Sequence, residues 1–151
     1  MKALLLSLFV LLPILGFTQT TDTKYLNLGK DNLAIKGYDP VSYFSGEEPQ
    51  KGQKGITYEF NDAIYRFATE ANLEAFKADP AKYEPAYGGW CAYAMASGSK
   101  ADINPKTYKI VDGKLLLFYN KFFVNTLPKW NKNEATLYPV AEKNWKEKNF
   151  K

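Results

Sequence analysis

The sequence predicts an α+β fold in one domain, a small antiparallel sheet of hairpins packed with short helices. Three observations predict it. Two pairs of β-rich runs, within residues 56–67 and 108–119, are each joined by turn-forming residues. Segments with helical start signals follow each pair. The 151 residues are 46% hydrophobic and 16% aromatic, enough to cover one core, because each buried aromatic removes a large apolar area from water. A disordered chain is poorer in such residues.

The first segment is not part of that domain. Met1-Lys2 is a short positive start, and Ala3 to Phe17 is almost wholly apolar, interrupted by Ser7, Pro13 and Gly16. A run of about 15 residues is short for a membrane span and matches the apolar stretch of a cleavable export signal. Gly16-Phe17-Thr18 offers a small-x-small cleavage pattern. Residues 1–18 are therefore assigned as a signal peptide, with an uncleaved anchor as the alternative. No Cys follows to carry a lipid, and no later run is long enough to span a membrane. The expected location is outside the cytoplasm, periplasmic or secreted.

Residues 19–32 are polar and read as a loose lead-in, and residues 33–151 as the domain. Leu33-Ala34-Ile35 is a short apolar stretch. Gly37 and Asp39-Pro40 form turns, and Val41 to Phe44 reads as a short strand or turn. Ser45 to Gly55 is loop by composition. Ile56 to Phe60 and Ile64 to Phe67 alternate, and Asn61-Asp62-Ala63 joins them, which predicts a hairpin. Thr69 is a fitting N-cap for a helix over residues 70–78, with Leu73 and Phe76 on its buried side. Asp79-Pro80 starts a second helical turn reaching Tyr83.

In residues 87–96, Gly88-Gly89 permits a tight backbone entry and the Ala-rich stretch after it predicts a small, closely packed helix. Ser97-Gly98-Ser99 ends it. Asp112-Gly113 between two apolar runs predicts a two-residue hairpin turn, because both central positions favour positive φ. Asn120 is then expected to cap a helix to about Trp130. A last helix is expected from Asn133 or Thr136 through Trp145, with Pro128 and Pro139 at starts or kinks.

The formal charge is +4, and loss of Lys2 with the signal leaves +3. The lysines are scattered among acids, which fits a solvated surface and not a nucleic-acid footprint. The stretch from Lys143 to Lys151 is more basic, suited to an anionic surface or simply to an exposed helix end. There is one cysteine, Cys91, and no histidine. An internal disulfide is excluded, as are Ser–His and Cys–His dyads.

Several blocks now carry a resemblance. They are Tyr38-Asp39-Pro40-Val41-Ser42-Tyr43-Phe44; Tyr65 to Ala68 with the run from Asn72 through Asp79-Pro80 to Tyr83; Tyr87-Gly88-Gly89-Trp90-Cys91-Ala92-Tyr93; Val111 to Leu115; and Asn144-Trp145. From Asp39 to Trp145 the chain resembles the YHS-domain family, and more narrowly its exported branch of YHS domain-containing (seleno)proteins. The resemblance implies a bacterial exported domain. It also implies heavy-metal handling through cysteines. The family's usual Asp-Pro-Val-Cys-Gly-Met opening reads Asp39-Pro40-Val41-Ser42-Tyr43-Phe44 here, so Ser42 stands where a cysteine is expected. The second metal-type pair is missing around Phe67 to Phe76.

The candidate chemistry is sparse. Zinc and similar sites take several N or S ligands, so a structural zinc site within one chain is excluded. Cys91 and Met95 are four apart and would share a helix face, an arrangement that could hold Cu(I) with help from a partner. Cys and Met are also favoured core residues, and that reading is the commoner one. Cys91 near a helix start is a candidate reactive thiol, against an inert buried Cys. With no resolving cysteine, any cycle would need an external thiol.

Ser97-Gly98-Ser99-Lys100 matches Ser-x-x-Lys by chance, since its partner motifs are absent. Asp39, Asp62, Asp79 and Asp102 fall at turns or caps, where structural roles are commoner than catalysis. Tyr43, Tyr87, Gly88, Gly89, Trp90, Cys91 and Tyr93 are the candidate ligand-lining set, against a Tyr-rich core edge. The first expectation is a non-enzymatic exported YHS-type module for a small ligand, metal or partner. The alternatives are a thiol redox protein using Cys91, and a scaffold with no small ligand.

Overall fold

The structure, a computed structural model, describes residues 23–151. The expected signal peptide lies outside the described residues. The elements run β1 (Thr57–Phe60), β2 (Ala63–Arg66), α1 (Glu70–Ala78), α2 (Pro80–Tyr83), α3 (Ala92–Ala96), β3 (Asn104–Val111), β4 (Lys114–Phe118), β5 (Asn120–Lys121), β6 (Val124–Asn125) and α4 (Leu127–Glu147). The fold is α+β, with three antiparallel two-stranded hairpins, β1–β2, β3–β4 and β5–β6.

β4 organises the interior. Leu115, Leu116, Leu117 and Phe118 are all buried, and strand alternation sends them to opposite sides. Leu115 and Leu117 join a core with Tyr43, Tyr65, Phe67, Leu73, Phe76 and Cys91. Leu116 and Phe118 join a second core with Tyr87, Met95, Trp130 and Ala141. This one apolar run is therefore the wall between two cores. Phe76, on α1, is the aromatic hub of the first, with ring contacts to Tyr58, Phe60, Tyr65, Phe67 and Tyr83.

The local start signals act as expected. The Thr69 side chain accepts from the Asn72 N–H, and Asp79 accepts from the Lys82 N–H, capping α1 and α2. Asp112 and Gly113 have φ of 50° and 75°, as a twisted two-residue turn requires. The β1–β2 turn is the pair Asn61-Asp62, also at positive φ, and Ala63 already belongs to β2.

Two expectations are corrected, at Asn120 and in the lead-in. Of the two readings of Val41–Phe44, strand or turn, the structure has the turn, a 3-10 one. The buried Asp39 causes this: its Oδ1 accepts the Val41 N–H at 2.8 Å and the Ser42 N–H at 3.4 Å, which curls the chain at once. Asn120 does not cap a helix. Its amide donates to Thr107 Oγ1 at 3.0 Å and its backbone pairs in β5. The helix starts later, with Thr126 at its N-cap, and Asn125 Oδ1 accepts the Leu127 N–H at 3.0 Å. The two expected C-terminal helical segments are present, run together as α4 across a kink at Asn133 (φ −134°), with Pro139 inside the second.

The second correction concerns the lead-in. Residues 23–32 are not loose. The Asn27 N–H donates to Gly88 O at 2.8 Å, its side chain donates to Gly89 O at 3.0 Å, and Trp90 Nε1 donates to Tyr25 O at 2.8 Å. Leu26 and Leu28 pack on the first core. The segment reads as polar, yet its backbone and two leucines bind it to the double glycine.

Candidate functional site

The site begins with a run of left-handed backbone. Tyr87, Gly88 and Gly89 have φ of 56°, 60° and 83°. For Tyr87 this conformation is strained by about 1–3 kcal/mol, and such strain gathers at functional sites. Gly88 is required at its place. A Cβ there would lie 2.8 Å from Tyr25 O and 2.9 Å from Trp145 Cη2. The glycine lets residues 23–28 and α4 close on the same point.

That closure leaves a cleft of about 290 Å³ beside Tyr87 and Gly88. Its polar groups are Glu84, which follows α2, Asn61 from the β1–β2 turn, Lys114 from β4 and Glu142 from α4. Trp145, Pro85 and Leu26 supply apolar wall. The volume is at the low end for small-molecule sites.

The two carboxylates differ in their surroundings. Glu142 accepts from the Tyr87 hydroxyl at 3.0 Å and from Lys114 Nζ at 2.7 Å. Its charge is neutralised by that lysine. Burial, then the Glu142 carboxylate, pushes the Tyr87 hydroxyl far above the ordinary tyrosine range. Glu84 is half-buried and has no ion pair among the described residues. Asn61 Nδ2 donates to its Oε1 at 3.4 Å. Burial raises the Glu84 pKa above the usual carboxylate range, with Asn61 and Tyr65 opposing in part. Glu84 also borders a second cavity of about 30 Å³, lined by Tyr65, Gly88 and Gly89.

The sequence-predicted residues divide. Tyr87 and Gly88 line the cleft, and Gly89 lines the smaller cavity. Tyr43 is buried elsewhere, with its hydroxyl donating to Pro105 O at 2.8 Å and its ring edge-on to Tyr108. Trp90 is tied to Tyr25 and carries Lys100 over its ring. Tyr93 is half-buried and packs on both cores.

Cys91 has 0% exposure. Its Sγ accepts the Tyr119 N–H at 3.3 Å and lies 3.5 Å from Thr126 Oγ1. It precedes α3, a helix of five residues. Met95 is buried in the other core. Among the described residues no cluster of three or more His, Cys, Asp or Glu is placed to hold a metal ion. Both sulfur residues therefore do the work of packing.

Glu84, Asn61 and Glu142 are the site residues that sequence reasoning missed. They come from three separate elements, and nothing in their local sequence marks them. Lys114 and Trp145 lay in the resemblance blocks but carried no assigned role. No helix among the described residues is long and apolar enough to cross a membrane. Comparison with protein-family models, with curated proteins and with solved structures finds no match.

Proposed function

We propose that the chain is an exported, non-enzymatic binding domain of the YHS type, and that its ligand is a small organic amine held in the cleft at Glu84. One observation carries this reading. Glu84 is a half-buried carboxylate facing the cleft with no cation among the described residues opposite it, while its neighbour Glu142 is already matched by Lys114. A half-buried carboxylate with no counter-ion is costly, and a cationic ligand removes that cost. Trp145 and Tyr87 line the same cleft, but Lys148 already sits 3.7 Å over the Trp145 ring, so the Glu84 charge is the feature that holds the ammonium group. Export rests on the apolar run from Ala3 to Phe17, and the YHS type on the resemblance blocks, of which Tyr87-Gly88 forms cleft wall.

The thiol reading is disfavoured by the buried, hydrogen-bonded Cys91. The Cu(I) reading is disfavoured by the placement of Met95 in the second core. The test is an NMR titration with choline and n-butylamine. Saturable shifts centred on Asn61, Glu84, Tyr87, Gly88 and Trp145 support the proposal. Shifts scattered over the surface, or none, refute it.

A further inference from the structure

The β5–β6 hairpin ends in Phe122-Phe123, and these side chains are 84% and 112% exposed. Val124, next in the chain, is 44% exposed. Single exposed apolar residues need no explanation, but three in a row at a protruding tip do. The backbone sharpens the point. Phe122 and Phe123 have φ of 50° and 63°. A two-residue turn of this kind strongly favours Asn, Asp and Gly, because both positions are left-handed.

The protein itself provides the comparison. The same two turn positions are Asn61-Asp62 in the first hairpin and Asp112-Gly113 in the second. In the third hairpin they are Phe-Phe, which strains the backbone and leaves both rings in water. Folding stability does not select that pair. An outside contact does.

We propose that this tip is a lipid-surface contact, with Phe122 and Phe123 entering the interfacial layer of an anionic bilayer. The charge around the tip favours this occupant. From Leu115 to Asn133 the sequence has Lys121, Lys129 and Lys132 and no acidic residue. Lys129 and Lys132 are exposed at the start of α4, directly after β6. The carboxylate that pairs with the hairpin, Asp102, is held between Lys36 at 2.6 Å and Lys121 at 2.9 Å, so that cluster is net positive. Lysines beside exposed aromatics give the two weak signals that reversible lipid binding combines. A convex tip also suits a fluid interface, which needs no preformed groove.

The test is co-sedimentation of the full chain with vesicles of phosphatidylcholine and phosphatidylglycerol, and with phosphatidylcholine alone. The comparison is the double variant Phe122→Asn/Phe123→Gly, whose turn residues suit the fold better than the native pair. The apolar run at residues 3–17 is common to both chains, so their difference reports the tip. The expected result is binding to the anionic vesicles that weakens with salt and falls at least about tenfold in the variant. A second variant, Phe123→Trp, is expected to gain fluorescence quenching by brominated lipids beyond that of the native chain. Absence of binding, equal binding by the double variant together with no added quenching, or loss of self-association in place of vesicle binding overturns the proposal.

Discussion

The Tyr119 N–H donates to the sulfur of Cys91 at 3.3 Å, so the single thiol of this protein is built into its backbone hydrogen bonding. A thiol fixed this way is reached by reagents only when the surrounding structure opens. Native protein should react with a thiol reagent orders of magnitude more slowly than protein in denaturant, at the rate of global opening. Fast labelling of the native state would show that Cys91 is accessible. Cys91→Ala leaves the Tyr119 N–H without its acceptor and should cost about 1–3 kcal/mol in chemical denaturation.

Asp39 joins three parts of the first core. Its Oδ2 accepts from the Ala68 N–H at 2.8 Å and from Asn72 Nδ2 at 2.7 Å, in addition to the bonds that form the 41–44 turn. Asp39→Ala strands these donors in a buried place. A loss of about 2–4 kcal/mol is expected in urea unfolding, with Asp39→Asn losing less because it keeps one acceptor oxygen. Equal stability of the alanine variant would contradict this role.

Gly88→Ala places a methyl against Tyr25 O and Trp145 and forces alanine into left-handed backbone. The backbone component alone should cost about 1–3 kcal/mol. Hydrogen exchange should show residues 25–28 losing protection first, since the Asn27 bonds depend on that approach.

Glu84 sets a pH signature. Its folded pKa is raised by burial, so the folded state favours the neutral carboxyl. Its contribution to stability is thus complete at acid pH, below the unfolded value near 4.3, and is lost as pH rises through the folded value. Glu84→Gln should be more stable than the native chain at pH 7, with the difference vanishing near pH 4. Thermal melts across that range read it directly, and a parallel shift at both pH values would refute it.

The hairpins, the caps at Thr69 and Asp79 and the Asp112-Gly113 turn were legible because each is set by residues adjacent in sequence. The burial of Leu73 and Phe76 followed from helical spacing in the same way. The third hairpin was not legible, because Phe122-Phe123 violates the turn chemistry that marks the other two. The order in residues 23–32 was hidden too, since it comes from backbone bonds to Gly88 and Gly89, 61 to 62 residues away for Asn27. Of the cleft, the sequence marked Tyr87 and Gly88. Glu84 and Glu142 gain their contrast only from what stands beside each in space, Lys114 beside one and, among the described residues, no cation beside the other.

That contrast is tested most directly by calorimetric titration of choline and n-butylamine into the native chain and into Glu84→Gln, at pH 5 and pH 8. Saturable binding to the native chain, stronger at pH 8 than at pH 5 because burial raises the Glu84 pKa, and at least about tenfold weaker in the variant, is the predicted result. Absence of binding to the native chain, or equal binding by both chains, would contradict it.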